Sequence, residues 1–95
     1  MDRRKQTVEQ AWIGDAVLSL YVRSKILRED QQRNGEKSAR MTSNQFLGIF
    51  GEPTEVEAQI GRVYERDGLD DAFRFIEGTF TAAFERQELK RRRKN

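Results

Sequence analysis

The sequence predicts one small all-α domain of about four main helices, on three observations. Apolar residues recur at helical spacing along most of the chain, no stretch alternates as a strand does, and Gly or Pro stands between successive expected helices. With 95 residues the chain makes a single domain, 1–95, near the lower size limit for burying a core unaided. Association with a second copy would supply further burial.

The first helix is expected over about Thr7 to Glu29, with Thr7 as N-cap. Its apolar residues, Val8, Ala11, Trp12, Ile13, Ala16, Val17, Leu18, Leu20, Tyr21, Val22, Ile26 and Leu27, cover more than one stripe. Such a helix is either central in its own domain or buried against a second subunit. Asp30 to Gly35 reads as a loop. A second helix is expected from about Glu36 to Phe50, burying Met41, Phe46, Leu47, Ile49 and Phe50 and stopping at Gly51. Pro53 suits the first turn of a third helix, where its missing N–H costs nothing. Val56, Ile60, Val63 and Tyr64 give that helix one buried face, and Asp67 and Gly68 end it. The fourth begins near Leu69, carries Ala72, Phe73, Ile76, Phe80, Ala83 and Phe84, and fades into the basic run KRRRKN.

The formal net charge of +2 is unevenly spread. Residues 86–95 hold six basic side chains and one acid, so a basic tail follows a mildly acidic body. A solvated tail and a phosphate-binding tail both fit this pattern. There is no cysteine and no histidine, which removes disulfides, thiolate metal sites and the usual general base. Any metal would be held by oxygen, favouring Mg2+, with Mn2+ as a substitute. No apolar run is long enough for a bilayer, so a cytoplasmic location without membrane contact is expected.

Gly14 and Asp15 stand in the middle of the most hydrophobic helix, where Gly costs about 1 kcal/mol relative to Ala and Asp is also a poor helix former. Such local conflict tends to mark function. The alternative is that Gly14 allows close helix packing while Asp15 is paired with an arginine. Glu57 lies about 60° around its helix from Ile60, at the border of the apolar face, where the core can hold a carboxylate rigidly.

WIGDAVLSLYV, from Trp12 to Val22, resembles the signature helix of the ribonuclease III family, in which an aromatic, an aliphatic, Gly, Asp and apolar residues follow one another. VEAQIGRVYERDGLDDAFRFI, from Val56 to Ile76, is similar to the family's later segment, and TSNQFL, from Thr42 to Leu47, to its Asn-containing middle helix. The resemblance covers roughly residues 8–76 and implies an all-helical dimer that hydrolyses RNA phosphodiesters with carboxylate-held magnesium. By this resemblance Asp15 and Glu57 would be the catalytic metal ligands, and Trp12 with Gly14 would lie at the dimer interface. Thr54 falls where the family has an Asp three residues before its Glu, and would orient water or a ligand. Val8 and Ala11 stand where larger members carry further acids, and only 12 residues separate Asn44 from Glu57. The reduced acid set and single-domain length resemble the Mini-ribonuclease III branch.

The expected activity is therefore magnesium-dependent endonucleolytic cleavage of double-stranded or structured RNA, in ribosomal or other stable RNA processing, by a homodimer without a small-molecule cofactor. Arg40, Asn44, Lys90, Arg91, Arg92 and Arg93 are the expected RNA contacts, with Arg62, Arg66 and Lys94 as further candidates. The alternative is a catalytically impaired protein of the same fold that binds RNA or serves assembly. A helical protein-interaction dimer is a third reading.

Overall fold

A computed structural model of the chain describes residues 2–93. Four longer helices and one single turn make up the fold, in the order α1 (Arg3–Asp30), α2 (Gly35–Thr42), α3 (Asn44–Leu47), α4 (Pro53–Asp67) and α5 (Leu69–Arg93). Among the described residues there is no strand, as the periodicity predicts, and no helix is long and apolar enough to cross a membrane.

Three helix boundaries differ from the sequence reading. Asp2, not Thr7, caps α1: its carboxylate accepts from the backbone N–H groups of Arg4 at 3.0 Å and Lys5 at 3.3 Å. An Asp before a run of good helix formers satisfies first-turn donors and carries a favourable charge at the positive end of the helix. The expected single second helix is split at Ser43, which is extended, while its hydroxyl accepts from Phe46 N–H at 3.0 Å and so starts α3. The split leaves Ile49 exposed although Phe46 and Leu47 are buried. Finally, α5 continues in regular helix to Arg93, so the basic tail is helical as far as it is described, and Lys94 and Asn95 lie outside the described residues.

Pro53 opens α4 in its first turn and Gly68, at φ 91°, closes it, both as expected. Positive φ at Gly68 turns the chain sharply into α5. The core joins Leu18, Val22 and Ile26 of α1 to Met41, Phe46 and Leu47, to Val56 and Ile60 of α4, and to Ala72, Ile76, Phe80 and Phe84 of α5. Edge-to-face ring contacts lock the α3 end: Phe46 on Phe84 at 5.6 Å and Phe50 on Phe80 at 4.7 Å.

Two sets of contacts set the direction of the helices. Gly14 meets Glu57 and Gly61 meets Gln10, so α1 and α4 run antiparallel. Tyr21 lies beside Thr81 and Lys25 beside Glu85, so α1 and α5 run parallel. Lys25 is only 5% exposed yet charged. Burial pulls its ammonium pKa down, but Glu29 at 2.6 Å and Glu85 at 3.5 Å outweigh that and hold it above the ordinary value. Its charge ties α1 to α5 near the C-terminal end of α1.

The antiparallel crossing is unusually close. A methyl group on Gly14 would overlap the backbone carbonyl of Glu57, and one on Gly61 would overlap that of Gln10. Neither neighbour can yield, since both are helix backbone. Gly14→Ala should therefore destabilise the protein by about 3 kcal/mol or more, as strained overpacking does. Gly78 in α5 faces open space, so Gly78→Ala should stabilise by up to about 1 kcal/mol. Urea denaturation of both variants checks this, and equal effects would show that the α1–α4 contact is looser than described.

Candidate functional site

Because Gly14 has no side chain, α4 lies directly on α1 at that point, and the next residue on α1, Asp15, emerges beside α4. Its carboxylate meets that of Glu57, whose own backbone carbonyl rests on Gly14. Asp15 is exposed and Glu57 half-buried, so the pair opens to solvent from a rigid base of packed helix. Burial first, then the nearby carboxylate of Asp15 with its negative charge, and then the charge of Glu52 push the Glu57 carboxyl up to about 7. Two acids held this close repel when both are ionised, and either a proton or a cation between them relieves the repulsion.

Glu52 adds a further negative charge at this end of α4. It is the N-cap of α4, where its carboxylate accepts from Glu55 N–H at 2.8 Å, and that interaction holds its pKa below the usual range. Its charge also reaches Glu57. An acid directly before Pro at the start of a helix is the signal that marks such a cap. Thr54 lies one turn before Glu57, is half-buried, and stands close to the Glu52 carboxylate, helping to hold it ionised.

Among the described residues no group of three or more acids, His or Cys comes together as a metal cluster. Asp15 and Glu57 form a two-oxygen-donor set. Magnesium is commonly bound by one or two carboxylates, with water and substrate phosphate completing its shell, so these two residues fit the ion that the sequence suggests. The crowding of two like charges on a fixed backbone contact favours occupancy by a cation.

The structure moves Gly14 away from its expected place at a subunit interface. It is buried inside the chain under α4, because only a glycine permits the backbone contact there. Trp12 is not an intrachain core residue: it is 77% exposed, and Val8, Leu20 and Leu27 are also exposed along α1.

The expected RNA contacts are dispersed. Arg40 is held in a two-pronged ion pair with Glu88, both contacts at 2.8 Å, and serves to tie α2 to α5. Arg62 is engaged by Glu55 at 2.7 Å and Gln10 at 3.1 Å, and Arg66 by Asp67 at 2.8 Å. Asn44 is exposed at the start of α3. Lys90, Arg91, Arg92 and Arg93 are exposed on the last turns of α5. Given the parallel course of α1 and α5, Lys90 lies roughly 20 Å along the bundle from Asp15 at the usual helical rise. No protein-family model, curated protein or solved structure matches this chain at a significant level.

The acid pair gives a pH signature. In the unfolded chain Glu57 releases its proton near its ordinary value of 4.5, whereas in the folded chain it holds the proton up to about 7. Between these values the folded state binds more protons, so this contribution to stability is present below the window and lost as pH rises through it. Metal-free wild type should therefore lose stability relative to Glu57→Gln between about pH 5 and about pH 8, by on the order of 1 kcal/mol once solvent screening is allowed for. Thermal unfolding across that range checks this, and parallel profiles for the two proteins would mean that Glu57 is not crowded.

Proposed function

We propose that the chain is a magnesium-dependent endoribonuclease of double-stranded or structured RNA, acting as a homodimer in the processing of ribosomal or other stable RNA. The observation that carries this reading is the convergence of Asp15 and Glu57, from segments that both resemble the ribonuclease III family, on one solvent-open spot. A divalent ion bound there would lower the pKa of a coordinated water and stabilise the oxygen that leaves phosphorus, which removes the need for a histidine base. Asp15 and Glu57 would hold the ion, and the Gly14–Gly61 contact keeps their spacing fixed. In hydrolysis the water oxygen bonds to phosphorus, the phosphorus–oxygen bond to the leaving nucleoside breaks, and the leaving oxygen takes a proton. Glu52 adds negative charge beside the pair, so this end of α4 favours a cation over a bare phosphate. Duplex RNA would be recognised through its A-form shape, phosphates and 2′-hydroxyls rather than its sequence.

The homodimer is supported by the apolar residues Val8 and Trp12, exposed one turn apart on α1, N-terminal to the stretch from Asp15 to Arg23. A tryptophan with most of its surface in water is costly unless a second surface covers it. A two-fold axis beside Trp12 would set the same patch of each copy against the other.

A second reading, that of an RNA-binding or assembly module without catalysis, is favoured by one observation: the site has two acids and no third ligand among the described residues. One experiment separates the two. With a long duplex RNA and magnesium or manganese, wild type should cleave, while Asp15→Asn and Glu57→Gln should each lose roughly a hundredfold or more in rate, as removal of a principal electrostatic group does. Trp12→Asp should shift the protein from dimer to monomer by light scattering. Metal-insensitive binding without cleavage would establish the second reading and overturn the first.

A further inference from the structure

A groove lies between α1 and α2. It is a cleft of 770 Å³ whose lining includes Ser19, Arg23, Leu27, Arg33, Asn34 and Ser38, with no carboxylate in its wall. Among the described residues neither Arg23 nor Arg33 takes part in an ion pair, in contrast to Arg40, Arg62, Arg66 and Arg74. Of the acids nearest in sequence, Asp30 pairs with Lys37 at 3.0 Å and Glu29 with Lys25, while Glu36, in no ion pair among the described residues, does not line the cleft. Two guanidiniums in a concave wall without a counter-charge make a place for an anion. The volume exceeds that of a single small ion and suits a phosphodiester with its ribose.

The placement along α1 identifies which anion. Asp15, Ser19 and Arg23 follow one another at i, i+4 and i+8, so they share one side of the helix, and Arg23 lies about 12 Å from Asp15 along the axis. A backbone strand leaving the acid pair along this face would therefore pass Ser19 and reach Arg23 within the length of a few nucleotides. We infer that the α1–α2 cleft, through Arg23 and Arg33, grips the phosphodiester backbone of the RNA a short distance from the position cleaved. Ser19 and Ser38 offer hydroxyl donors to the same backbone, and Leu27 gives the ribose an apolar wall. The inference rests on the proposed activity at Asp15 and Glu57 and assigns it a substrate-positioning surface separate from the α5 tail.

The test is RNA binding and cleavage by full-length wild type, by Arg23→Ala/Arg33→Ala, and by Arg28→Ala as a control. Arg28 lies about 140° around α1 from Arg23. Binding to a long duplex RNA is read in calcium at several salt concentrations, and cleavage in magnesium. The double variant should bind about tenfold or more weakly and show a salt dependence shallower by about two phosphate contacts. Its KM should rise while its rate at saturation stays near wild type, and Arg28→Ala should match wild type in both. If wild type cleaves and the double variant binds and cleaves equally well, the cleft assignment is wrong and the acid-pair reading stands. If wild type binds RNA through these arginines without cleaving, the acid-pair reading fails and the cleft assignment survives. Polyglutamate displacing the duplex from the arginines as effectively as RNA would overturn the cleft assignment, since an acidic peptide would then be its ligand.

Discussion

Gly14 and Gly61 allow the backbones of α1 and α4 to touch, and most of the fold's functional geometry depends on that contact. Two mid-helix glycines each cost about 1 kcal/mol of helix propensity relative to alanine, so the sequence carries a local penalty on both helices at the same crossing. In return the helices approach more closely than side chains would permit. Asp15 and Glu57, adjacent to that contact, are thereby brought face to face on supports that packing holds in place. With a larger residue at position 14, α4 would have to move outward and the acids would separate.

Charge in the rest of the molecule follows a division of labour. Lys25, Arg40 and Lys37 are tied to Glu29 and Glu85, Glu88, and Asp30, and these pairs fasten α1 and α2 to each other and to α5. Among the described residues the acid pair has no basic partner reaching into it, although Arg62 sits nearby on α4, because Arg62 is directed to Glu55 and Gln10 instead. An arginine turned toward Glu57 would have lowered its pKa and made the pair a structural ion cluster. The observed direction is the opposite, upward, which fits a site that awaits a proton or a cation.

Much of the fold was legible because its signals are local. Pro53 and Gly68 bracket α4 by backbone chemistry alone, and the spacing of Val56 and Ile60 marks its buried face. The break at Ser43 was not legible, because the apolar spacing on its two sides suits one continuous helix and only the side-chain cap to Phe46 N–H ends it. The conflict at Gly14 and Asp15 was legible, but the contact it serves was not. Of the two readings of Gly14, a subunit interface and close helix packing, the structure shows the second, against Glu57 and Gly61 of the same chain, a contact that depends on how two distant segments cross. The charge that Glu52 lends to Glu57 was not legible, because a cap residue looks like surface charge until its neighbours are known. Arg40 looked free for the same reason, since Glu88 is 48 residues away in sequence.

The central claim is that the crossing forces Asp15 and Glu57 into mutual repulsion that a cation can relieve. A double-mutant cycle on stability, with Asp15→Asn, Glu57→Gln and the double variant in metal-free buffer at a pH above the Glu57 pKa, measures this directly. The account predicts that each single variant is more stable than wild type and that the second substitution adds little to the first, with the coupling shrinking when magnesium is added. Independent, additive effects that magnesium leaves unchanged would contradict it.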